Sequence, residues 1–111
     1  MTFLNVPDKY IPYLEGNPLL ATIGNTPVVR LDLPDIDRNI SIHAKLEYLN
    51  PGGSIKDRPI LFMLLDAIIS GALSSEKTIL DATSGNAGIS YAMLGAALGY
   101  KVDLVMPLNA S

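Results

Sequence analysis

Thr78-Ile79-Leu80-Asp81-Ala82-Thr83-Ser84-Gly85-Asn86-Ala87-Gly88 opens the stretch that decides the fold. Thr78 to Ala82 reads as a short strand, and Thr83 to Gly88 as a turn of small side chains. Ile89 to Leu98 then reads as a helix with Gly99 as its stop. Lys101 to Met106 follows as a second strand, in which Val102, Leu104 and Met106 alternate with Lys101, Asp103 and Val105. Strand, tight turn, helix, strand is a βαβ unit, which predicts a parallel pair with a right-handed crossover. Parallel sheets need cover on both faces. One cover is a second helix over about residues 57–70, where Ile60, Leu61, Leu64, Leu65, Ile68 and Ile69 recur at spacings of one, three and four before Gly71. Pro59 is comfortable only in a first turn, so that helix should begin near Lys56 or Asp57.

Further toward the N-terminus, Ile40, Ile42, Ala44 and Leu46 alternate with Ser41, His43, Lys45 and Glu47, the period of a half-buried strand. His43, the single histidine, falls on the polar side and reads as a surface or packing residue. Val28, Val29 and Leu31 make another short strand, and Asp32, Pro34, Asp35, Asp37 and Asn39 a solvated turn without the spacing or glycine of a calcium loop. Residues 1–26, punctuated by Pro7, Pro12, Gly16, Pro18 and Gly24, read as an arm wrapped on something larger. The chain stops at Ser111, directly after a strand, where a doubly wound sheet does not normally end.

Composition sets the outer bounds. The 111 residues hold 49% apolar and 17% charged side chains, enough for one small core-forming domain. With 8 Lys and Arg against 11 Asp and Glu, there is no basic stripe for nucleic-acid phosphates. No Cys is present, which removes disulfide scaffolds, Cys-ligated metals and a cysteine nucleophile, and suits a cytoplasmic location. The longest uninterrupted apolar stretch, Ile60 to Leu65, is too short to span a bilayer, and no secretory signal core appears.

Two turns deliver backbone N–H groups into the start of a helix, where the first four amides lack internal partners and the dipole adds positive charge. One is Gly52-Gly53-Ser54-Ile55-Lys56; the other is Thr83 to Gly88. Small residues there let a carboxylate or phosphate approach the backbone, with the Thr83 and Ser84 hydroxyls and the Asn86 amide as added donors. The plainer alternative is a tight strand-to-helix turn. Lys56 sharpens the first loop. A cation at a helix N-terminus is disfavoured, and the same field, helped by burial, favours a neutral, nucleophilic amine. An ordinary surface lysine flanked by the solvated charges of Asp57 and Arg58 stays open on these grounds.

Lys45-Leu46-Glu47-Tyr48-Leu49-Asn50-Pro51-Gly52-Gly53-Ser54-Ile55-Lys56-Asp57-Arg58 resembles the lysine segment of the cysteine synthase and cystathionine β-synthase family. Ile23-Gly24-Asn25-Thr26-Pro27 upstream and Thr83 to Gly88 downstream match further motifs in order, and Met106-Pro107 with Ser111 resembles the family's next strand end. The resemblance covers about residues 19–111. It implies an α/β fold, a three-layer doubly wound, mostly parallel sheet of the tryptophan synthase β-like type, here an incomplete N-terminal fragment. Residues 1–34 would be an N-terminal arm with a short strand, and 35–111 part of the small α/β domain.

By the same resemblance the cofactor is pyridoxal 5'-phosphate, with Lys56 as its Schiff-base lysine and Asn86 bonded to the ring hydroxyl oxygen. Thr83, Ser84, Gly85 and Asn86 would hold the substrate α-carboxylate. The implied reaction is β-replacement on an O-activated serine such as O-acetylserine, with sulfide as partner and L-cysteine as product. Cystathionine β-synthase and serine dehydratase are alternatives within the family, and a non-catalytic binding module is one outside it. A homodimer is implied for the full-length form, and no nucleic-acid or membrane partner. Ala82, Ala87 and Pro59 stand where the family commonly has proline, threonine and an aliphatic residue, so substrate detail differs more readily than cofactor chemistry. The family's phosphate-binding loop and pyridine-nitrogen partner would follow Ser111, which implies an inactive isolated chain.

Overall fold

The computed structural model describes residues 5–110. Strand β3 (Thr78–Ala82), helix α4 (Asn86–Leu98) and strand β4 (Lys101–Val105) form the βαβ unit, with β3 and β4 parallel from Thr78↔Lys101 to Ala82↔Val105. The Thr83 N–H extends the ladder to the Val105 carbonyl at 3.0 Å. Helix α4 starts three residues before Ile89 because the Gly85 carbonyl accepts from both Gly88 and Ile89. Glycine weakens a helix interior, yet here it sets the packing distance. A Cβ on Gly88 would stand 2.9 Å from Thr83 Cγ2, and one on Gly95 would overlap the Val102 side chain. Two turns apart, these glycines let α4 lie close against β4.

Helix α3 (Asp57–Ile69) begins with Lys56 as its N-cap, so Pro59 falls in the first turn, where its missing N–H costs nothing. Its apolar stripe, Ile60, Leu61, Leu64 and Leu65, is buried with Ile79, Tyr91 and Leu94 of the βαβ unit. Gly71 and Gly99 follow α3 and α4 with φ of +78° and +82°, the left-handed turn that ends a helix.

Residues 8–21 are mostly helical. A 3-10 turn (Asp8–Tyr10), α1 (Ile11–Gly16) and α2 (Pro18–Ala21) bury Tyr10, Leu14 and Leu20 in the same core. Tyr10 meets Phe62 edge-on, with centroids 5.0 Å apart. Lys9 Nζ and the Tyr10 hydroxyl both donate to Asp66 Oδ1, at 2.6 and 2.8 Å. The Lys9 bond, with help from Tyr10, holds the Asp66 carboxyl below its ordinary range.

Strands β1 (Val28–Leu31) and β2 (Ile42–Lys45) pair antiparallel, Val28 opposite Lys45 and Leu31 opposite Ile42. Only residues 32–41 connect them, too short a link for the crossover that a parallel pair requires. The described residues thus hold two separate two-stranded sheets, one parallel and one antiparallel, in place of the single mostly parallel sheet expected. His43 is exposed, on the polar side of β2. Among the described residues, no helix is long and apolar enough to cross a membrane. Ser111 lies outside the described residues.

Candidate active site

The glycine loop before α3 is held from within. Asn50 is buried and its amide nitrogen donates toward the Glu47 carbonyl, Glu47 Oε2 and the Ser54 carbonyl at 2.9–3.0 Å. Its Oδ1 accepts from the Gly24 N–H at 2.8 Å, and its carbonyl from the Gly53 N–H at 2.8 Å. Glu47 Oε1 accepts from the Thr26 hydroxyl at 2.8 Å and Arg58 Nη2 at 2.6 Å. Lys45 Nζ donates to the Thr26 carbonyl at 2.8 Å. The 23–27 and 45–58 motifs, separate in sequence, are therefore one hydrogen-bonded unit. Burial pushes the Glu47 carboxyl up, and the bonds from Thr26, Asn50 and Arg58 outweigh it, leaving the group below its ordinary range.

Lys56 projects from this frame as an exposed residue, with its N–H bonded to Ser54 Oγ at 3.2 Å. The burial expected to favour its neutral amine is absent; the helix-start position is present. Its neighbours are not the solvated pair their charges suggest. Arg58 is engaged with Glu47, and Asp57 is fully buried at 0% exposure. Asp57 Oδ2 accepts from the Gly52 N–H and Oδ1 from the Ser90 hydroxyl, each at 2.5 Å. A Cβ on Gly52 would overlap that carboxylate, which is why only glycine fits there.

Ser90 lies one turn into α4, 3.1 Å from the Asn86 carbonyl. Through Asp57 and Ser90 the lysine loop thus reaches the third motif. In that turn Thr83 Oγ1 accepts from the Gly85 N–H at 3.3 Å, while Ser84, Gly85 and Asn86 are exposed. No acceptor among the described residues takes the N–H groups of Asn86 and Ala87. Ala82, Thr83, Ser84, Val105, Met106 and Pro107 line an open cleft of ≈ 410 Å³ at the C-terminal ends of β3 and β4. Ligands of open α/β sheets sit at that end of the strands.

An exposed primary amine, open helix-start N–H groups, two hydroxyls and a side-chain amide suit an aldehyde cofactor and an amino-acid carboxylate. That donor set fits pyridoxal phosphate. Asp57, Ser90, Glu47, Asn50 and Thr26 all serve this frame, and although all but Ser90 lie in the quoted motifs, the sequence alone marks no framing role for any of them. The available signals were an acidic residue in a helix first turn and an asparagine heading a glycine pair.

Comparison with known proteins agrees. Residues 19–111 match the family model described as pyridoxal-phosphate dependent enzyme. The cysteine synthase of Aquifex aeolicus is 55% identical over 96 residues, covering 84% of this chain and 29% of its own. The O-ureido-L-serine synthase of Streptomyces lavendulae is 48% identical over 90 residues, covering 81% and 28%. The crystal structure of O-acetyl serine sulfhydrylase isoform 3 from Entamoeba histolytica superposes with a TM-score of 0.78 at 41% identity, covering all of this chain and 33% of that one. The chain spans about a third of the length of these relatives. With its lysine loop, its 23–27 motif and its 83–88 turn joined in one frame inside the matched span, the chain belongs to the pyridoxal-phosphate dependent enzymes.

Proposed function

We propose that this chain supplies the cofactor lysine and the carboxylate-binding turn of a cysteine synthase-like enzyme. The reaction is β-replacement, in which an O-activated serine such as O-acetylserine reacts with sulfide to give L-cysteine, the activating group leaving with its oxygen as acetate. The carrying observation is the Asn50–Glu47–Arg58 frame that presents Lys56 in the open while Asp57 and Ser90 tie it to the 83–88 turn. Pyridoxal phosphate, when bound, supplies the electron sink for charge developing at the substrate α-carbon. Lys56 Nζ holds the cofactor and then takes the α-proton as base. The Thr83 and Ser84 hydroxyls, the Gly85 backbone and the open amides at the start of α4 bind the α-carboxylate. The Asn86 side chain serves both the substrate and the cofactor's ring hydroxyl.

The whole protein, in this reading, is a cytoplasmic homodimer with the three-layer doubly wound sheet of the family. The 111 residues alone carry the lysine without the phosphate cradle and are inactive. A second reading rests on the 48% identity to the O-ureido-L-serine synthase: the same β-replacement ends in an O-substituted serine. Borohydride reduction of the holoenzyme followed by peptide mapping tests the site. The pyridoxyl label should fall on Lys56; a label on Lys45 or Lys101 overturns the assignment. Assaying O-acetylserine with sulfide for cysteine tests the reaction.

A further inference from the structure

Asp57 is a fully buried carboxylate, and no Lys, Arg or His among the described residues forms an ion pair with it. Burying an anion without a counter-charge is expensive unless fixed dipoles replace its water. Three such dipoles are in place: the Gly52 N–H, the Ser90 hydroxyl and the N-terminal end of α3, whose first residue is Asp57 itself. Its two side-chain bonds go to the glycine loop, at Gly52, and to the first turns of α4, at Ser90, and to nothing else among the described residues.

The path through it is short. Lys56 is joined to Asp57 by one peptide bond, Asp57 Oδ1 accepts from Ser90, and Ser90 Oγ stands 3.1 Å from the Asn86 carbonyl. The other carboxylate oxygen pins the glycine loop through Gly52. From this geometry we infer that Asp57 is a positioning residue, one that fixes the separation between Lys56 and the Thr83–Asn86 turn through Ser90. This inference rests on the assignment of Lys56 and that turn as the cofactor and carboxylate sites. Asp57 touches neither ligand. It sets how often the amine and the bound carboxylate are in register, so its loss lowers the rate of the step that needs both and leaves carboxylate affinity in place.

The test uses the holoenzyme with Asp57→Asn, Ser90→Ala and the double variant, assayed with O-acetylserine and sulfide. Misplacement on the ångström scale costs up to about a hundred-fold in rate, so each single variant should lose about ten- to a hundred-fold in kcat. KM for O-acetylserine should stay within about two-fold, as for a contact that matters only when the reacting groups meet. The visible circular dichroism of the bound cofactor should change in both singles, since the environment of Lys56 changes without substrate. Because the two residues form one link, the double variant should be no slower than the slower single. If Asp57→Asn does not fold, Ser90→Ala removes the same link from the α4 side and carries the test alone. A lowered melting temperature with kcat and dichroism unchanged overturns the inference, as does a loss confined to KM or additive loss in the double. Borohydride labelling separates the two ideas: label on Lys56 with unchanged kcat sinks the positioning role alone, and label on another lysine sinks both.

Discussion

Asn86 has a side chain that is free of the fold and that the proposed function assigns to a ligand. Its backbone carbonyl accepts from Ser90, but its amide group makes no hydrogen bond among the described residues. Asn86→Ala should therefore leave thermal stability nearly unchanged while weakening substrate binding. A hydrogen bond to a charged group is worth about 1.5–3 kcal/mol, and a titration of O-acetylserine against the holoenzyme's absorbance would read it. Glu47 is the opposite case, a carboxylate committed to the fold with its side chain 17% exposed. Its folded-state pKa is depressed, so its stabilisation is present above the unfolded value of about 4.5 and is lost as pH falls through the folded value. Asp66, depressed by Lys9 and Tyr10, adds to the same acid limb. Glu47→Gln should lower the melting temperature at pH 7 and converge with the parent in acid; a constant gap across pH would remove Glu47 from the account. Of these roles, the sequence showed that Lys56 stands at a helix start, through Pro59 and the glycine pair. It hid the burial of Asp57, because a charged residue beside Lys and Arg reads as solvated until a hydroxyl 33 residues away is brought against it.

The βαβ unit was legible almost to the residue, because alternation in β4 and terminal glycines report local geometry directly. The start of α4 was not. Asn86, Ala87 and Gly88 are small residues common to turns, and their helical state follows from the Gly85 carbonyl accepting from Gly88 and Ile89, with Gly88 set close against Thr83 and Leu104. Nor was the antiparallel pairing of β1 with β2 derived, although the length of the link between them contains it. Gly95 is the element-scale test. Its Cβ would overlap Val102, so Gly95→Ala should destabilise the protein by about 1–3 kcal/mol despite alanine's better helix propensity. Gly16, at the end of α1 with nothing near its missing Cβ, is the control, and Gly16→Ala should be neutral or slightly stabilising. Thermal unfolding of both variants decides it, and an unharmed Gly95→Ala would mean that α4 and β4 tolerate a wider spacing.

As a whole the chain is flat, measuring 56 × 42 × 20 Å, with a radius of gyration of 17.0 Å. A compact domain of this length is closer to about 13 Å. The flatness reflects uncovered sheet: Leu80 and Val105 on the parallel pair are 70% and 58% exposed, and Val28, Val29 and Leu31 of β1 are exposed too. Parallel sheets are normally covered on both faces, and apolar patches of this kind drive association. Residues 1–111 purified alone should self-associate and form no cysteine when given pyridoxal phosphate, O-acetylserine and sulfide. A monomer by light scattering that makes cysteine would show a complete small enzyme. The frame around Asn50 carries a different consequence. The Gly24, Gly52 and Gly53 amides are bonded to Asn50 or Asp57, both buried, although all three sit in loops. In hydrogen–deuterium exchange such amides open only when the surrounding frame opens. A glycine-rich segment that composition marks as supple is thus built to keep its protons as long as a helix does.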